Sequence, residues 1–159
     1  AIARVIKRNK LKNIVLDTVL RSSGGKALID RNGVEGIKTL IPLSAVVTPN
    51  LMEASALTGL PVRDTEAMEE AARRIRSMGA QAVLVKGGHL KGDPVDILYD
   101  GKRFTRFTGR RLEGGAKKLH GTGCILSAAI AAGLARGMGV RRAAADAKAY
   151  VEETLRQRR

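Results

Sequence analysis

Short apolar segments alternate with longer amphipathic segments along most of the chain, and this alternation limits the folds that the chain can adopt. Three of the apolar segments read NIVLD (13–17), AVVT (45–48) and AVLV (82–85). A run of this kind, rather than an apolar–polar alternation, is typical of a strand buried on both faces. Such strands need helices on both sides, so the pattern predicts an α/β fold with a mostly parallel sheet flanked by helices.

Capping residues and glycines indicate where the intervening helices begin and end. Asp30 is suited to cap a helix that Pro42 ends, and Asp64 to cap another helix that stops at Gly79. Between these two, Gly59 stops a short helix that follows the second strand.

The pattern changes in the second half of the chain. The two alternating runs of VDILYDGKRFTRF are joined by Asp100-Gly101, which predicts a β-hairpin near 95–107. Two helices are then predicted, at about 122–136 and about 140–156. Because no internal repeat or low-complexity linker interrupts the sequence, we expect one α/β unit rather than two domains.

The chain carries a net charge of +14, and its basic residues cluster in residues 1–12, 102–118 and 136–159. Such clusters attract anions, whether a nucleotide, a phosphorylated substrate or a nucleic acid. Aromatic residues make up only 3% of the chain and tryptophan is absent, which disfavours a protein that stacks the bases of single strands. We therefore expect a small phosphorylated ligand rather than a nucleic acid, and we expect the 102–118 cluster to attract it.

The composition also bears on the compartment. No apolar run approaches the ~18 residues needed to cross a membrane, and no signal-peptide pattern is visible. Cys124 is the single cysteine, which excludes an intrachain disulfide and fits a reducing compartment. The sequence therefore predicts a cytoplasmic protein without a membrane partner.

Polar residues follow the three apolar strands at the points where these strands end. Asp17 ends the first strand, Asn50 and Glu53 follow the second, and Lys86 follows the third. Ligands of open α/β sheets bind outside the carboxyl ends of the strands, where these four residues would meet. Carboxylates hold Mg²⁺ and a lysine offsets phosphate charge, so the arrangement predicts a metal–phosphate site.

A glycine-spaced turn, HGTGC (120–124), opens directly into the apolar helix ILSAAIAAGLA. Gly121 and Gly123 let the backbone approach a ligand closely, and the N–H groups of a helix N-terminus attract anions. The turn therefore predicts an anion hole; the alternative is a tight helix-entry turn without a ligand. It is not a Walker A loop, because no Gly-Lys-Ser/Thr follows.

Cys124 lies in the first turn of that helix. A helix N-terminus lowers the pKa of a thiol, which would make Cys124 a base or a nucleophile. The alternative is a small residue that simply packs there. A zinc site is not indicated, because Cys124, His89 and His120 lack the paired ligand spacings of such sites.

Four segments carry a resemblance to a known family when they are taken in order. They read VVTPNLMEA (46–54), VLVKGGH (83–89), DILYDG (96–101) and HGTGCILSAAIAAGLARG (120–137). Together they resemble the hydroxymethylpyrimidine phosphate kinases of thiamine biosynthesis, which belong to the ribokinase-like superfamily, and the resemblance covers essentially the whole chain. It implies a ribokinase-like fold and an ATP- and Mg²⁺-dependent kinase. The implied substrates are hydroxymethylpyrimidine phosphate and, usually, hydroxymethylpyrimidine.

The resemblance also implies roles for residues of the glycine turn. Gly121, Thr122 and Gly123 would form the anion hole for the transferring phosphoryl group, with Gly121 and Gly123 contacting the nucleotide. Cys124 stands where sugar kinases of the superfamily have a catalytic aspartate.

The strand-end residues match family motifs as well. Asn50 and Glu53 match an Asn-x-x-Glu motif associated with Mg²⁺ and phosphate. Asp17 matches the strand-end acid near the metal, and Lys86 matches a lysine near the nucleotide phosphates.

The chain departs from the family pattern in three places. Thr18 stands where a proline usually follows the strand-end acid, and Lys117-Lys118-Leu119-His120 replaces a segment that usually ends Asn-Thr-His. The N-terminal part of the fold, with its glycine-rich segment and most of the pyrimidine pocket, has no counterpart. We therefore expect residues 1–159 to be the C-terminal, nucleotide-binding portion of a single ribokinase-like domain. As a fragment, it should bind nucleotide weakly and should not phosphorylate the pyrimidine.

Three interpretations of the function stay open, and the first is the pyrimidine phosphate kinase. The second is a sister vitamin kinase for pyridoxal or hydroxyethylthiazole. Thiazole kinases also have Gly-x-Gly-Cys, whereas pyridoxal kinases usually keep aspartate at the cysteine position. The segments VKGGH and TPNLMEA favour the pyrimidine enzyme. The third is a nucleotide-binding remnant without catalysis. The resemblance implies a tendency to form dimers, but the sequence does not fix the oligomeric state.

Overall fold

The structure is a computed structural model that describes residues 1–21, 27–88, 90, 92–109 and 121–157. Its helices are α1 (Ile2–Arg8), α2 (Arg31–Lys38), α3 (Leu51–Thr58), α4 (Thr65–Ser77), α5 (Thr122–Ala135) and α6 (Val140–Gln157). Its strands are β1 (Val15–Leu16), β2 (Val46–Val47), β3 (Ala82–Val85), β4 (Val95–Tyr99) and β5 (Phe104–Thr108). A short 3₁₀ turn, Ile41–Leu43, precedes β2.

The five strands form one sheet in the order β1-β2-β3-β4-β5. β1, β2 and β3 are parallel, with Val46 opposite both Val15 and Ala82. β4 and β5 form the predicted hairpin and add two antiparallel pairings, the first of which sets Val83 opposite Tyr99. The predicted α/β fold is confirmed, and the hairpin makes the sheet a mixed one.

Local signals place the helix ends. Asp30 Oδ1 accepts the backbone N–H of Gly33, and Asp64 Oδ1 accepts that of Ala67, both at 2.8 Å. Gly59 ends α3 in the left-handed conformation, at φ 74°. These three predictions are confirmed, because caps and left-handed glycines act within one turn of the chain.

The helix that begins after Asp30 ends earlier than predicted. α2 stops at Lys38, and Pro42 lies inside the 3₁₀ turn. The ring of a proline in an α-helix collides with the carbonyl group four residues before it, which here is that of Lys38. Pro42 therefore prevents the preceding turn of the chain, and not only its own position, from continuing the α-helix.

Helices cover both faces of the sheet, in three layers. On one face, the strand residues Val47, Val83, Val85 and Ile97 pack with residues of α3 and α4, among them Ala54, Leu57, Met68, Ala71, Ala72 and Ile75. On the other face, Val46, Ala82, Leu84 and Leu98 pack with residues of α5 and α6, namely Leu126, Ile130, Leu134, Ala143, Ala144 and Ala147. Successive strand residues therefore point to opposite cores, which explains why the parallel strands β1, β2 and β3 lack polar residues.

α5 and α6 pack closely at Gly133, where a Cβ atom would come within 2.9 Å of the Ala143 side chain. This close contact anchors the C-terminal half of α5 and leaves its N-terminus at the carboxyl ends of the parallel strands. None of the helices in the described part of the chain is both long enough and apolar enough to cross a membrane.

Candidate active site

The carboxyl ends of β1 and β3 are joined by an ion pair. Lys86 Nζ lies 3.0 Å from Asp17 Oδ1, and the two side chains are only 13% and 19% exposed. A pair so shielded from water interacts more strongly than a surface pair, because the local dielectric constant is lower. The structure thus brings together two of the predicted site residues that are 69 positions apart in the chain.

The backbone around Lys86 is held against the end of β2. The Lys86 N–H donates to the carbonyl oxygen of Pro49 at 2.7 Å, and Asn50 and Lys86 form an isolated parallel bridge. This bridge extends the β2–β3 pairing by one step beyond the regular strands. Lys86 therefore leaves the sheet from a fixed backbone position.

The glycine turn lies directly beside this ion pair. Gly121 has φ 90°, a left-handed conformation that glycine adopts without strain. A Cβ atom on Gly123 would lie 3.1 Å from Lys86 Nζ, so the ammonium group faces the first turn of α5. Among the described residues, no side chain caps this helix N-terminus. Its backbone N–H groups and Lys86 thus point a combined positive potential at one place.

Cys124 is exposed. Hydrogen bonding to the Asp17 carboxylate is the main reason that the pKa of the Cys124 thiol lies above its ordinary value, and partial burial adds to the rise. The positive charge of Lys86 opposes the rise without reversing it. The predicted lowering of the Cys124 pKa by the helix N-terminus is therefore wrong, because the Asp17 carboxylate has the largest influence on the thiol and favours its protonated form.

Asn50 and Glu53 form a reciprocal capping box at the start of α3. Asn50 Oδ1 accepts the Glu53 N–H at 3.0 Å, and Glu53 Oε2 accepts the Asn50 N–H at 2.8 Å. The Asn-x-x-Glu spacing that predicted a metal and phosphate motif is thus also a capping signature. The roles of Asn50 and Glu53 toward a ligand stay predictions.

Glu53 is buried, with 5% of its surface exposed, so it is not a solvated helix carboxylate. Burial is the main reason that the pKa of Glu53 lies above its ordinary value, and the negative charge of Asp17 adds to the rise. Thr18, fully buried, donates its hydroxyl to Glu53 Oε2 at 3.2 Å. The residue that departs from the family pattern therefore supplies a hydrogen bond that proline could not make.

Two further residues of the site were missed from the sequence. Thr48 and Ser127 share a buried hydroxyl–hydroxyl hydrogen bond of 2.9 Å, although they are 79 positions apart. The Ser127 hydroxyl oxygen also lies 3.0 Å from the Gly123 carbonyl oxygen, and the Thr48 hydroxyl oxygen lies 3.3 Å from that of Leu16. Because each hydroxyl has one proton, one of them donates to the other, which in turn donates to its carbonyl oxygen. The pair links the ends of β1 and β2 to the glycine turn. The available signal was a serine in an otherwise apolar helix.

The oxygen donors at this edge suit a hard cation. Asp17 and Glu53 lie close enough for their charges to interact, and the described part of the chain contains no group of three or more His, Cys, Asp or Glu side chains that could hold a metal ion by itself. Mg²⁺ is commonly held by one or two carboxylates, with waters and substrate phosphates completing its shell. Two carboxylates beside a phosphate-attracting turn fit that mode of binding.

Some predicted features lie outside the described residues. These are His89, His120 and the part of the basic cluster at 110–118. The expectation that this cluster attracts a nucleotide stays a prediction.

Comparisons with known proteins agree with this geometry. A family model for phosphomethylpyrimidine kinase matches residues 1–159. The thiamine biosynthesis bifunctional protein ThiED of Geobacter sulfurreducens is 47% identical over 158 residues, which are 98% of this chain and 32% of that protein. The hydroxymethylpyrimidine/phosphomethylpyrimidine kinase of Aquifex aeolicus is 40% identical over 153 residues, which are 95% of this chain and 59% of that protein.

Solved structures show the same fold. Pyridoxal kinase from Staphylococcus aureus in complex with ADP superposes with a TM-score of 0.85 at 34% identity, over 94% of this chain and 55% of that chain. The chain thus spans between about a third and three-fifths of the length of these proteins. The predicted ribokinase-like fold and the predicted resemblance are confirmed, since the family model matches from the first residue to the last. The chain belongs to the phosphomethylpyrimidine kinase family.

Proposed function

We propose that the chain carries the nucleotide-binding portion, residues 1–159, of a single-domain ATP-dependent kinase that phosphorylates hydroxymethylpyrimidine phosphate and hydroxymethylpyrimidine in thiamine biosynthesis. Family membership and the names of the relatives support the reaction class. The observation that carries the proposal is the placement of Lys86 against Gly123, at the N-terminus of α5, where no side-chain cap is seen in the described part of the chain. A lysine and a helix N-terminus that converge at a sheet edge make a site for phosphate.

The terminal phosphates of ATP would bind at the backbone of residues 121–124, with the Lys86 ammonium against their oxygens. In the absence of phosphate, the Asp17 carboxylate neutralises Lys86 at 3.0 Å. An incoming phosphate would share the Lys86 ammonium group with Asp17 or replace Asp17 as its partner. Phosphoryl transfer needs alignment of the acceptor hydroxyl and stabilisation of charge on the moving group, and backbone N–H groups fixed by a helix supply the second without reorganising.

Mg²⁺ would be held by Asp17 and by Glu53, directly or through water. When bound, the ion would offset the negative charge of the phosphates. Asp17 would then balance Lys86 and the metal from one position at the end of β1. Glu53 keeps one oxygen on the backbone of Asn50 and on Thr18, so its position is fixed before any ion arrives.

Cys124 would accept the proton that the acceptor hydroxyl loses during phosphoryl transfer. Its raised pKa keeps the thiol protonated near neutral pH, and a protonated thiol cannot accept a second proton. Cys124 would therefore act as a base only after its own proton passes to water, a loss that the positive charge of Lys86 favours. The thiolate would then accept the proton of the acceptor hydroxyl as that oxygen attacks the phosphoryl group, so that the sulfur becomes a neutral thiol and the negative charge moves to the attacking oxygen.

The test is a pair of measurements. ADP and inorganic phosphate should perturb the backbone amide resonances of residues 121–124 in the chain, and a Lys86→Met variant should weaken the response. A coupled assay should then show ADP release by the complete enzyme with hydroxymethylpyrimidine phosphate as the acceptor. Phosphate binding elsewhere on the chain, or no turnover with either pyrimidine, would contradict the proposal.

A second candidate is a kinase for pyridoxal. The likeness to the Staphylococcus aureus pyridoxal kinase favours it, because 94% of this chain superposes on 55% of that structure with a TM-score of 0.85. The same coupled assay separates the two reactions when pyridoxal and hydroxymethylpyrimidine phosphate are offered in parallel. Faster turnover with pyridoxal would reverse the assignment while keeping the phosphate site.

A further inference from the structure

Strand β4 is tied to helix α6 by an ion pair near each end. Near its start, Asp96 Oδ2 lies 2.6 Å from Lys148 Nζ, and both side chains are largely buried, at 7% and 16% exposed. Beyond its other end, Asp100 Oδ2 lies 3.0 Å from Arg141, in a more exposed pair. The Asp96 pair lies at the carboxyl end of β3, because β3 and β4 run antiparallel. It therefore adjoins the candidate active site, whereas the Asp100 pair lies at the opposite edge.

The second oxygen of Asp96 binds the loop that carries Lys86. Asp96 Oδ1 accepts the backbone N–H of Gly87 at 2.9 Å. A Cβ atom on Gly87 would overlap the carbonyl oxygen of Val95, so this loop lies directly on the β4 backbone. The Lys86 N–H is held by Pro49 on the other side. The backbone N–H of Lys86 is thus fixed at the end of β2, and the next N–H, that of Gly87, is fixed at the start of β4. The Lys86 side chain leaves the backbone between these two hydrogen bonds.

A buried ion pair is a poor device for stability alone. Its desolvation cost commonly equals or exceeds its Coulombic gain, and apolar replacements of both partners are often neutral or stabilising. Here the pair has a second effect, because Lys148 holds one oxygen of Asp96 in place while the other oxygen binds the Gly87 N–H. The buried charge is explained if the position of this loop matters.

We propose that Asp96 is a positioning residue for Lys86, with Lys148 as its counter-ion. By fixing the Gly87 N–H, Asp96 sets the direction in which the Lys86 side chain reaches Asp17 and the glycine turn. The inference rests on the proposed function only in that Lys86 is taken to contact phosphate. The placement of Lys86 by Asp96 can be tested without any ligand.

Two double variants of the full chain isolate the hydrogen bond from the ion pair. D96N/K148M keeps an acceptor oxygen for Gly87 but removes both charges, whereas D96V/K148M removes the acceptor as well. Neither leaves an unpaired buried charge. Asp100→Asn is the matched control, because it breaks the equivalent β4–α6 pair at the far edge of the sheet.

The first readout is hydrogen exchange of the Lys86 and Gly87 backbone amides. Both should stay protected in D96N/K148M and in Asp100→Asn, and both should lose protection in D96V/K148M. Loss of protection at Gly87 alone, with Lys86 still protected, would overturn the proposal. This result is decisive whether or not the chain binds a nucleotide.

The second readout is ADP affinity in a double-mutant cycle. We expect D96V/K148M to weaken ADP binding by about the factor that Lys86→Met does, on the order of tenfold for a charged hydrogen-bond partner. Adding Lys86→Met to D96V/K148M should then cause little further loss, because both changes remove the same contact. D96N/K148M should stay within about threefold of the parent chain. Fully additive losses would overturn the proposal, whereas absence of ADP binding by the parent chain would contradict the proposed function and leave the amide exchange to decide this one.

Discussion

Helices α3 and α5 both begin at the carboxyl ends of the parallel strands, but their N-termini are built in opposite ways. α3 begins with a capping box in which Asn50 and Glu53 satisfy each other's backbone N–H groups. α5 begins at Gly121 in a left-handed conformation, with no side-chain cap among the described residues. The N-terminal backbone N–H groups thus have side-chain acceptors in α3, whereas in α5 no side chain of the described residues caps them.

Under the proposed function, the N-terminus of α3 serves the fold and the N-terminus of α5 would serve a ligand. A side-chain cap typically contributes about 1 kcal/mol, and a helix end that omits it leaves N–H groups for another partner. At α5 that partner would be phosphate, drawn also by Lys86 beside Gly123. At α3 the buried carboxylate of Glu53 already occupies the position at the helix N-terminus where an anion would bind. Changes at the two ends should therefore affect different properties of the protein.

The largest effect is expected at the open end, from Cys124→Ser. Turnover of the complete enzyme should fall by about a hundredfold, because a serine hydroxyl gives up its proton far less readily than a thiol and so forms almost no anionic base. ATP affinity should change little, since the backbone N–H groups remain. Steady-state kinetics with hydroxymethylpyrimidine phosphate measure both quantities. Unchanged turnover would reduce Cys124 to a packing residue.

At the capped end, Glu53→Ala should lower the free energy of unfolding by about 2–3 kcal/mol. The substitution removes the shared acceptor of the Asn50 N–H and the Thr18 hydroxyl, two donors at a buried position. Urea unfolding followed by circular dichroism gives the value. Glu53→Gln is the matched control, because glutamine can also complete a capping box and should keep most of the stability. Equal stability of Glu53→Ala and the parent chain would mean that the capping box does not stabilise α3.

A charge placed at the open end should make it resemble the capped one. Gly121→Asp would set a carboxylate at the N-terminus of α5, where the helix dipole favours it and where it repels phosphate. We expect ADP affinity to fall by about tenfold relative to Gly121→Asn, which shares the strain of a side chain at φ 90° but lacks the charge. Isothermal titration of both variants provides the comparison. Equal affinities would show that phosphate does not bind at this helix end.

Asp17→Asn should speed the alkylation of Cys124 several-fold at pH 8. The hydrogen bond to Asp17 is the main cause of the raised thiol pKa, so removal of the carboxylate charge lowers that pKa and increases the thiolate fraction. Because Cys124 is the single cysteine, the rate of iodoacetamide labelling reports on this site alone. Lys86→Met should act in the opposite direction, since Lys86 lowers the pKa. Slower labelling of Asp17→Asn would contradict the described contact.

The smallest expected effect is a pH dependence of the free energy of unfolding. It distinguishes the hydrogen bonds of the α3 capping box from the ionisation of Glu53. Glu53 has a folded-state pKa raised above the ordinary value of 4.5, so the folded state binds its proton more tightly than the unfolded state. Its contribution to stability is therefore largest below pH 4.5 and declines as the pH rises through the raised folded value. Glu53→Gln should lack this decline, which paired urea titrations across that range would reveal. An identical pH dependence of both proteins would exclude Glu53 as its source.

Features that act within a few residues were predictable from the sequence. The caps at Asp30 and Asp64, the left-handed Gly59 and the hairpin around Asp100-Gly101 lie where their local patterns indicated. The glycine turn before α5 was recognised for the same reason. In each case the partner atoms are neighbours along the chain, so that little depends on the rest of the fold.

The residues gathered at the strand ends were predictable as a group, but their contacts were not. Asp17 and Lys86 were expected at one edge because parallel strands end together, yet the sequence did not show that they pair directly. It also did not reveal the hydroxyl pair of Thr48 and Ser127 or the Asp96 contact to Gly87. These contacts join different elements, and their geometry depends on how the helices pack on the sheet.

The amino-acid sequence by itself determined the alternation of strands and helices and the ends of most helices, because these follow from periodicity and from contacts within one turn. Only the tertiary structure decided the surroundings of the residues proposed for the chemistry. A helix N-terminus alone would lower the pKa of the Cys124 thiol, but the fold sets the carboxylate of Asp17 beside it and raises that pKa instead. A pKa depends on the nearest charges and on burial, and both are fixed by residues that are distant in the chain.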